Sequence, residues 1–158
     1  MKIRNQFEPI PNYTQELNKT KCVKALNRQL CSVKSRAKRG KIPFDIDFAY
    51  IRLIYEEQRG LCALTGLGLN MTPCKGLCNK KNGRPDALRM SIDRIDPSLG
   101  YIKGNIRLVG CHINSIRSDF TDLDTFIICK AFVTAYEKRM ADSIGADSVS
   151  YTIKSELL

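Results

Sequence analysis

Residues 91–105, SIDRIDPSLGYIKGN, bring together groups that can do chemistry. Asp93 and Asp96 flank Arg94, and Gly100, Gly104 and Asn105 follow. Residues 89–95 read as one strand and NIRLVG as a second. Gly100 and Gly104 stand in the turn between them, where positive φ is needed. Asp93 and Arg94 are neighbours on a strand, so their side chains leave opposite faces. Downstream, CHINSIRSDF reads as a short helix with Asn114 and Arg117 at i and i+3 on one face. If that helix packs across the hairpin, the Asp93 carboxylate and the Asn114 amide oxygen meet. Two hard oxygens with open positions suit Mg²⁺, which keeps few protein ligands and several waters or phosphates. Arg117, one turn further on, can take a phosphate oxygen.

These groups need elements to hold them. Residues 14–39 contain neither Pro nor Gly, and Leu17, Val23, Leu26, Leu30 and Val33 recur at helical spacing. Gly40 and Pro43 end this first helix, and its other faces carry lysine and arginine. A second helix opens near Asp47, offers Phe48, Ile51, Leu53, Ile54 and Tyr55 to the core, and closes at Gly60. LCALTGLGLN reads as a tight turn or small hairpin, and residues 70–87 as a polar loop. TDLDTFIICKAFVTAYEKRM forms a longer amphipathic helix capped by Thr121 or Asp122. The order is two helices, strand–turn–strand–helix and a packing helix, so the class is α+β with a small sheet. The chain divides into a basic arm and helix at 1–44, a body at 45–141 and a tail at 142–158.

The net charge is +10 over 158 residues, and it is unevenly spread. Residues 1–44 hold eleven Lys or Arg against two Glu, a balance of +9; residues 45–158 hold fifteen against fourteen acids, a balance of +1. A cationic segment on a near-neutral body points to a polyanion partner, most often nucleic acid. Few aromatics interleave with these charges, so stacking on single strands is not indicated. No apolar run is long enough to cross a membrane. The start, MKIRNQFEPIPNYTQ, lacks the apolar stretch of a secretory signal. Seven cysteines without such a signal argue for free thiols in a reducing cytoplasm. Cys22, Cys31 and Cys129 fall within helices and read as core thiols.

The residues quoted resemble the HNH, or ββα-metal (His-Me finger), endonucleases. Asp93 matches that family's metal-binding Asp, Asn105 the middle Asn that braces the loop, Asn114 the metal ligand on the helix, and Arg117 the basic residue after it. Upstream, SRAKRGKIPFDIDFAYIRLIYEEQRGLCALTG is similar to the lead-in of phage-type members, and D-R-I-D to one of their branches. The resemblance spans about residues 34 to 133. It implies a metal-dependent hydrolase of double-stranded DNA, with the finger at the minor groove and one Mg²⁺ or Mn²⁺ per active site on Asp93 and Asn114. The products would carry 3′-hydroxyl and 5′-phosphate ends, and no small-molecule cofactor is implied. Lys34, Arg36, Lys38, Arg39 and Lys41 become phosphate-docking residues, joined by Arg117 and by the loop at Lys75, Lys80, Lys81 and Arg84. A phage-encoded member would act in the host cytoplasm.

The chain departs from the family pattern at two places. The catalytic histidine is replaced by Arg94, whose guanidinium cannot be deprotonated in a protein. Arg94 is instead suited to hold the scissile phosphate and stabilise developing charge. His112 is the one histidine, but it lies about 200° around the helix from Asn114 and should face away. Asp96, a second candidate base, reads as the turn residue before Pro97. Structural zinc looks lost: C-x-x-T (Cys62, Thr65) and Gly110 stand where two cysteine pairs would be. That leaves only an irregular set of Cys62, Cys74, Cys78 and Cys111. The rival readings are an HNH-fold module that binds DNA without cutting it, and a basic RNA-binding protein.

Overall fold

The computed structural model describes residues 20–71 and 87–144. Among these residues there are four helices and four short strands, in the order α1 Thr20–Gly40, β1 Phe44–Asp45, α2 Phe48–Glu57, β2 Met90–Arg94, β3 Tyr101–Ile102, β4 Ile106–Gly110, α3 Cys111–Arg117 and α4 Asp122–Ile144. The class is α+β, as the sequence suggests.

α1 is held by one apolar stripe, with Cys22, Leu26, Val33 and Ala37 buried against α2 and β2. The stripe runs through Cys22 rather than Val23, which is half-buried. Cys31 is exposed, so it is not the core thiol expected. Thr14 and Leu17 lie outside the described residues. The helix ends in a Schellman turn: the Ile42 N–H donates to the Ala37 carbonyl at 2.9 Å, with Lys41 in the left-handed region at φ 51°. The turn therefore falls on Lys41, one residue after the expected Gly40.

α2 starts where Asp47 caps it, accepting from the Tyr50 N–H at 2.8 Å. It buries Ile51, Ile54 and Tyr55, while Leu53 is 47% exposed, a correction to the expected core set. After α2, Leu61 and Gly68 form a single antiparallel bridge, the small hairpin expected of LCALTGLGLN. Gln58 fastens this region to the sheet. Its amide donates to the Leu61 and Leu108 carbonyls and accepts from the Leu108 N–H, each at 2.8–2.9 Å.

β2 and β4 pair antiparallel, with Asp93 opposite Arg107 and Ile92 opposite Leu108. The connection between them is not a simple turn. Its Tyr101–Ile102 segment forms a parallel pair with β1. Gly100 makes this feasible: it sits at φ +86°, and a Cβ there would lie 2.6 Å from the Pro43 carbonyl oxygen. α3 packs on both β2 and β4, which completes the ββα unit.

The chain divides into two compact units between Asp119 and Phe120. α4 belongs to the second. Thr121 caps it: its hydroxyl accepts from the Asp124 N–H at 3.1 Å, and the Asp124 carboxylate accepts from the Thr121 N–H. Leu123, Phe126, Ile127, Phe132, Val133 and Tyr136 are exposed on this helix. Among the described residues no helix is long and apolar enough to cross a membrane.

Candidate active site

β2 alternates, so Met90 and Ile92 enter the core while Ser91 and Asp93 share the other face. α3 lies against that face. Asn114 Nδ2 donates to Ser91 Oγ at 2.7 Å and reaches the Ile92 carbonyl at 3.4 Å. One turn later Arg117 Nη1 donates to Asp93 Oδ1 at 3.0 Å, and Nη2 to the Ile95 carbonyl at 2.6 Å. Asp93 Oδ2 accepts from its cross-strand neighbour Arg107 Nε at 2.9 Å. Asp93 is 4% exposed and Arg117 1%. The pair Asn114 and Arg117 does share a face, and both reach the Asp93 strand. Arg117, expected at a phosphate, is instead a buried counter-ion that locks α3 to β2.

Arg94, the last residue of β2, reaches the same cleft. Its Nη1 donates to the Pro97 carbonyl at 2.7 Å and its Nη2 to Asp119 Oδ1 at 2.9 Å. The guanidinium carbon sits 5.4 Å from the Tyr101 ring centroid, a cation–π contact. Asp119 is mostly open, with its side chain 77% exposed. It follows Ser118, whose backbone is in a left-handed region at φ 48°.

Asn105 is buried at the base of the turn. Its Oδ1 accepts from the Asp96 N–H, and its Nδ2 donates to the Asp96 and Gly100 carbonyls, all at 2.8–2.9 Å. These three bonds brace the loop between β2 and β4. Asp96 accepts from the Ser98 hydroxyl at 2.6 Å and from the Ser98 N–H at 2.8 Å. That hydroxyl, and then that N–H, hold its carboxyl below the ordinary aspartate value. Asp96 is thus a turn residue. His112 is exposed and stands apart from the groups around Asp93.

A cleft of about 490 Å³ is lined by Asp93, Arg94, Asn114, Asp119 and Ser91. Its further wall comes from α1, through Gln29, Ser32 and Arg36, and Arg89 completes it. Arg36 Nη1 donates to the Tyr101 hydroxyl at 3.0 Å. Of the other docking candidates, Lys34, Lys38, Arg39 and Lys41 are all exposed. Lys75, Lys80, Lys81 and Arg84 lie outside the described residues. Arg36, Arg89 and Arg94 line the cleft with Asp93 and Asp119, and Arg107 and Arg117 pair with Asp93, an excess of positive charge. No group of three or more His, Cys, Asp or Glu able to hold a metal occurs among the described residues. Cys62 is buried and accepts from the Gly110 N–H at 3.4 Å. Cys74 and Cys78 lie outside the described residues.

The cleft also holds Ser91, Arg89 and Asp119, and Arg107 pairs with Asp93 beside it; the sequence pattern assigns none of these four a role. Ser91 is within reach of that pattern, since period-2 alternation puts it beside Asp93. Arg107 follows only once the strand register is known, and nothing in the sequence announces that Asp119 turns back onto Arg94.

No family model matches the chain, and no solved structure matches it significantly. A protein of Enterobacteria phage T4, described as an uncharacterized 29.0 kDa protein in the dda-modA intergenic region, is similar to it. The two are 30% identical over 99 residues, which is 63% of this chain and 34% of the phage protein. The chain therefore spans about a third of the length of that relative.

Proposed function

We propose that the chain is an HNH-type endonuclease that hydrolyses a phosphodiester of double-stranded DNA with one Mg²⁺ or Mn²⁺ at the cleft. The observation that carries this reading is the placing of Asp93, Arg94 and Asn114 along one cleft of a ββα unit whose loop Asn105 braces. Asp93 and Asn114 would hold such an ion, with Asp93 sharing its oxygens with Arg107 and Arg117. Asp93 and Asn114 are hard oxygen ligands, and Asn114 turns its nitrogen to Ser91, leaving its oxygen as the acceptor. Two protein ligands leave room for waters and a phosphate, the company Mg²⁺ prefers. Bound there, the ion would lower the pKa of its water and polarise the phosphoryl oxygen.

The chain's own residues do the rest. Arg107 and Arg117 fix the Asp93 carboxylate from both sides, so its orientation is set before substrate arrives. Arg94 takes the scissile phosphate: its forked donors suit two phosphate oxygens and spread the charge that develops on them. To do so it exchanges Asp119 for the phosphate, while the Pro97 contact and the Tyr101 ring keep it aimed. The exposed lysines and arginines of α1 dock the flanking backbone. The phage relative is compatible with action in a host cell's cytoplasm.

The second reading, a DNA-binding module without cleavage, has one observation in its favour. Both Asp93 oxygens and the Arg94 fork are already engaged by protein groups. Supercoiled plasmid separates the two. With Mg²⁺ or Mn²⁺ the wild type should convert it to nicked or linear forms, and Asn114→Ala should slow this at least about 100-fold, the scale of losing one positioned transition-state group. If the wild type shifts DNA in a gel yet leaves plasmid supercoiled with either ion, the nuclease reading is lost.

A further inference from the structure

One wall of the cleft takes no part in the chemistry above. It is built from Arg36 on α1 and Arg89 just before β2, with Ser32, Ser91 and Ser115 between them. Arg36 is held at the wall by the Tyr101 hydroxyl. Arg89 is different: its Nε is buried and meets no hydrogen-bond partner among the described residues. A buried donor left unmade costs on the order of 1–3 kcal/mol, and more when it belongs to a charged group. Arg89 therefore has a donor left to satisfy. The nearby carboxylates do not satisfy it, because Asp93 pairs with Arg107 and Arg117, and Asp119 with Arg94. Among the described residues the wall offers guanidinium and hydroxyl donors with no acid of its own, a donor set that matches an oxyanion.

We propose that Arg36 and Arg89 form a phosphate subsite distinct from Arg94, which takes a backbone phosphate next to the scissile one. The inference rests on the reading of this cleft as the seat of a nucleic-acid backbone. It gives α1 a second role: beyond its exposed lysines, the helix would hold the substrate inside the cleft through Arg36. A guanidinium grips a phosphate through paired N–H donors, which lysine cannot reproduce.

The test follows the arginine Nε–Hε signals of the full chain by ¹H–¹⁵N NMR in EDTA, so that no cleavage occurs. Inorganic phosphate and a short DNA duplex are titrated separately. The Arg89 signal, assigned by its disappearance in Arg89→Ala, should shift with both. Arg89→Ala should weaken duplex binding roughly tenfold and lower the salt slope of log K by about one, as expected when one phosphate is no longer neutralised. Arg89→Lys should keep the slope and recover only part of the affinity; it also serves if the alanine variant melts early. An Arg89 signal unmoved at saturating duplex, or wild-type affinity and slope in both variants, overturns the subsite. Movement with phosphate, in a wild type that binds no duplex, keeps the anion site and removes the nuclease reading. If neither ligand moves the signal, both fall.

Discussion

Asp93 is where chemistry and folding compete for one side chain. Its carboxylate is 4% exposed and satisfies two guanidinium groups, one of them on the fully buried Arg117. Removing one partner of a buried pair leaves an uncompensated charge, which costs about 3–5 kcal/mol. Asp93→Ala should therefore lower stability by that amount in urea melts, together with any loss of activity. A stability within about 1 kcal/mol of wild type would show that the two arginines find water or other partners, and that this pair does not lock α3 to β2. Asn114→Ala is for the same reason the cleaner probe of catalysis. Asn114 is half-buried and donates one short bond to Ser91, so its loss costs only about 1 kcal/mol. Arg94 is bound in a different way, through its ring contact and a backbone carbonyl. The Tyr101 ring and the Pro97 carbonyl hold Arg94 at the cleft, where the proposed reaction would use it to take a phosphate.

The elements were legible where periodicity and caps agree. The Asp47 cap, the β2–β4 hairpin with its two positive-φ glycines, the short α3 and the Thr121 cap all follow from local rules. What was not legible came from pairing between distant segments. The parallel pairing of Phe44 and Tyr101 joins residues far apart in the chain, and no local pattern signals it. Gln58 is a second case: its amide completes the hydrogen bonding of Leu108, which a reading by helix face cannot reveal. Leu53 and Cys31 erred the other way, since helical spacing allowed both faces and only packing chose between them. The β1–β3 pairing gives a sharp test. Gly100→Ala adds a Cβ 2.6 Å from the Pro43 oxygen at φ +86°, so backbone strain of about 1–3 kcal/mol adds to the clash. The variant should melt well below wild type, and an unchanged midpoint would mean that β1 does not hold the loop. At the start of α4, the Thr121 hydroxyl and then its N–H hold the Asp124 carboxyl below the ordinary value of 3.8. A depressed folded value means that this contribution is present above pH 3.8 and is lost as pH falls through the lowered value. Asp124→Asn should remove that acid dependence of helicity by circular dichroism, and an acid limb as steep as the wild type's would place the titrating group elsewhere.

At the scale of the molecule, the steep charge asymmetry has a structural meaning that composition alone did not supply. The basic helix α1 is not detachable, because it lends Cys22, Leu26, Val33 and Ala37 to the core and Arg36 to the cleft. Deleting residues 1–41 would therefore unfold the body along with removing the charge, and any change in DNA binding would say nothing about docking. Charge must be removed without removing the helix. Lys34, Lys38, Arg39 and Lys41 are exposed, and the buried residues of α1 lie on its other side. Lys41 is left out of the set because it lies past the helix, in the Schellman turn at φ 51°. Replacing Lys34, Lys38 and Arg39 by alanine favours the helix by intrinsic propensity and takes nothing from the core. If these side chains face backbone phosphates, the slope of log K against log salt should fall by roughly one for each phosphate left without its cation, with no change in sequence preference. The melting midpoint should stay near wild type. An unchanged slope in a folded triple variant would move the docking surface away from this face of α1.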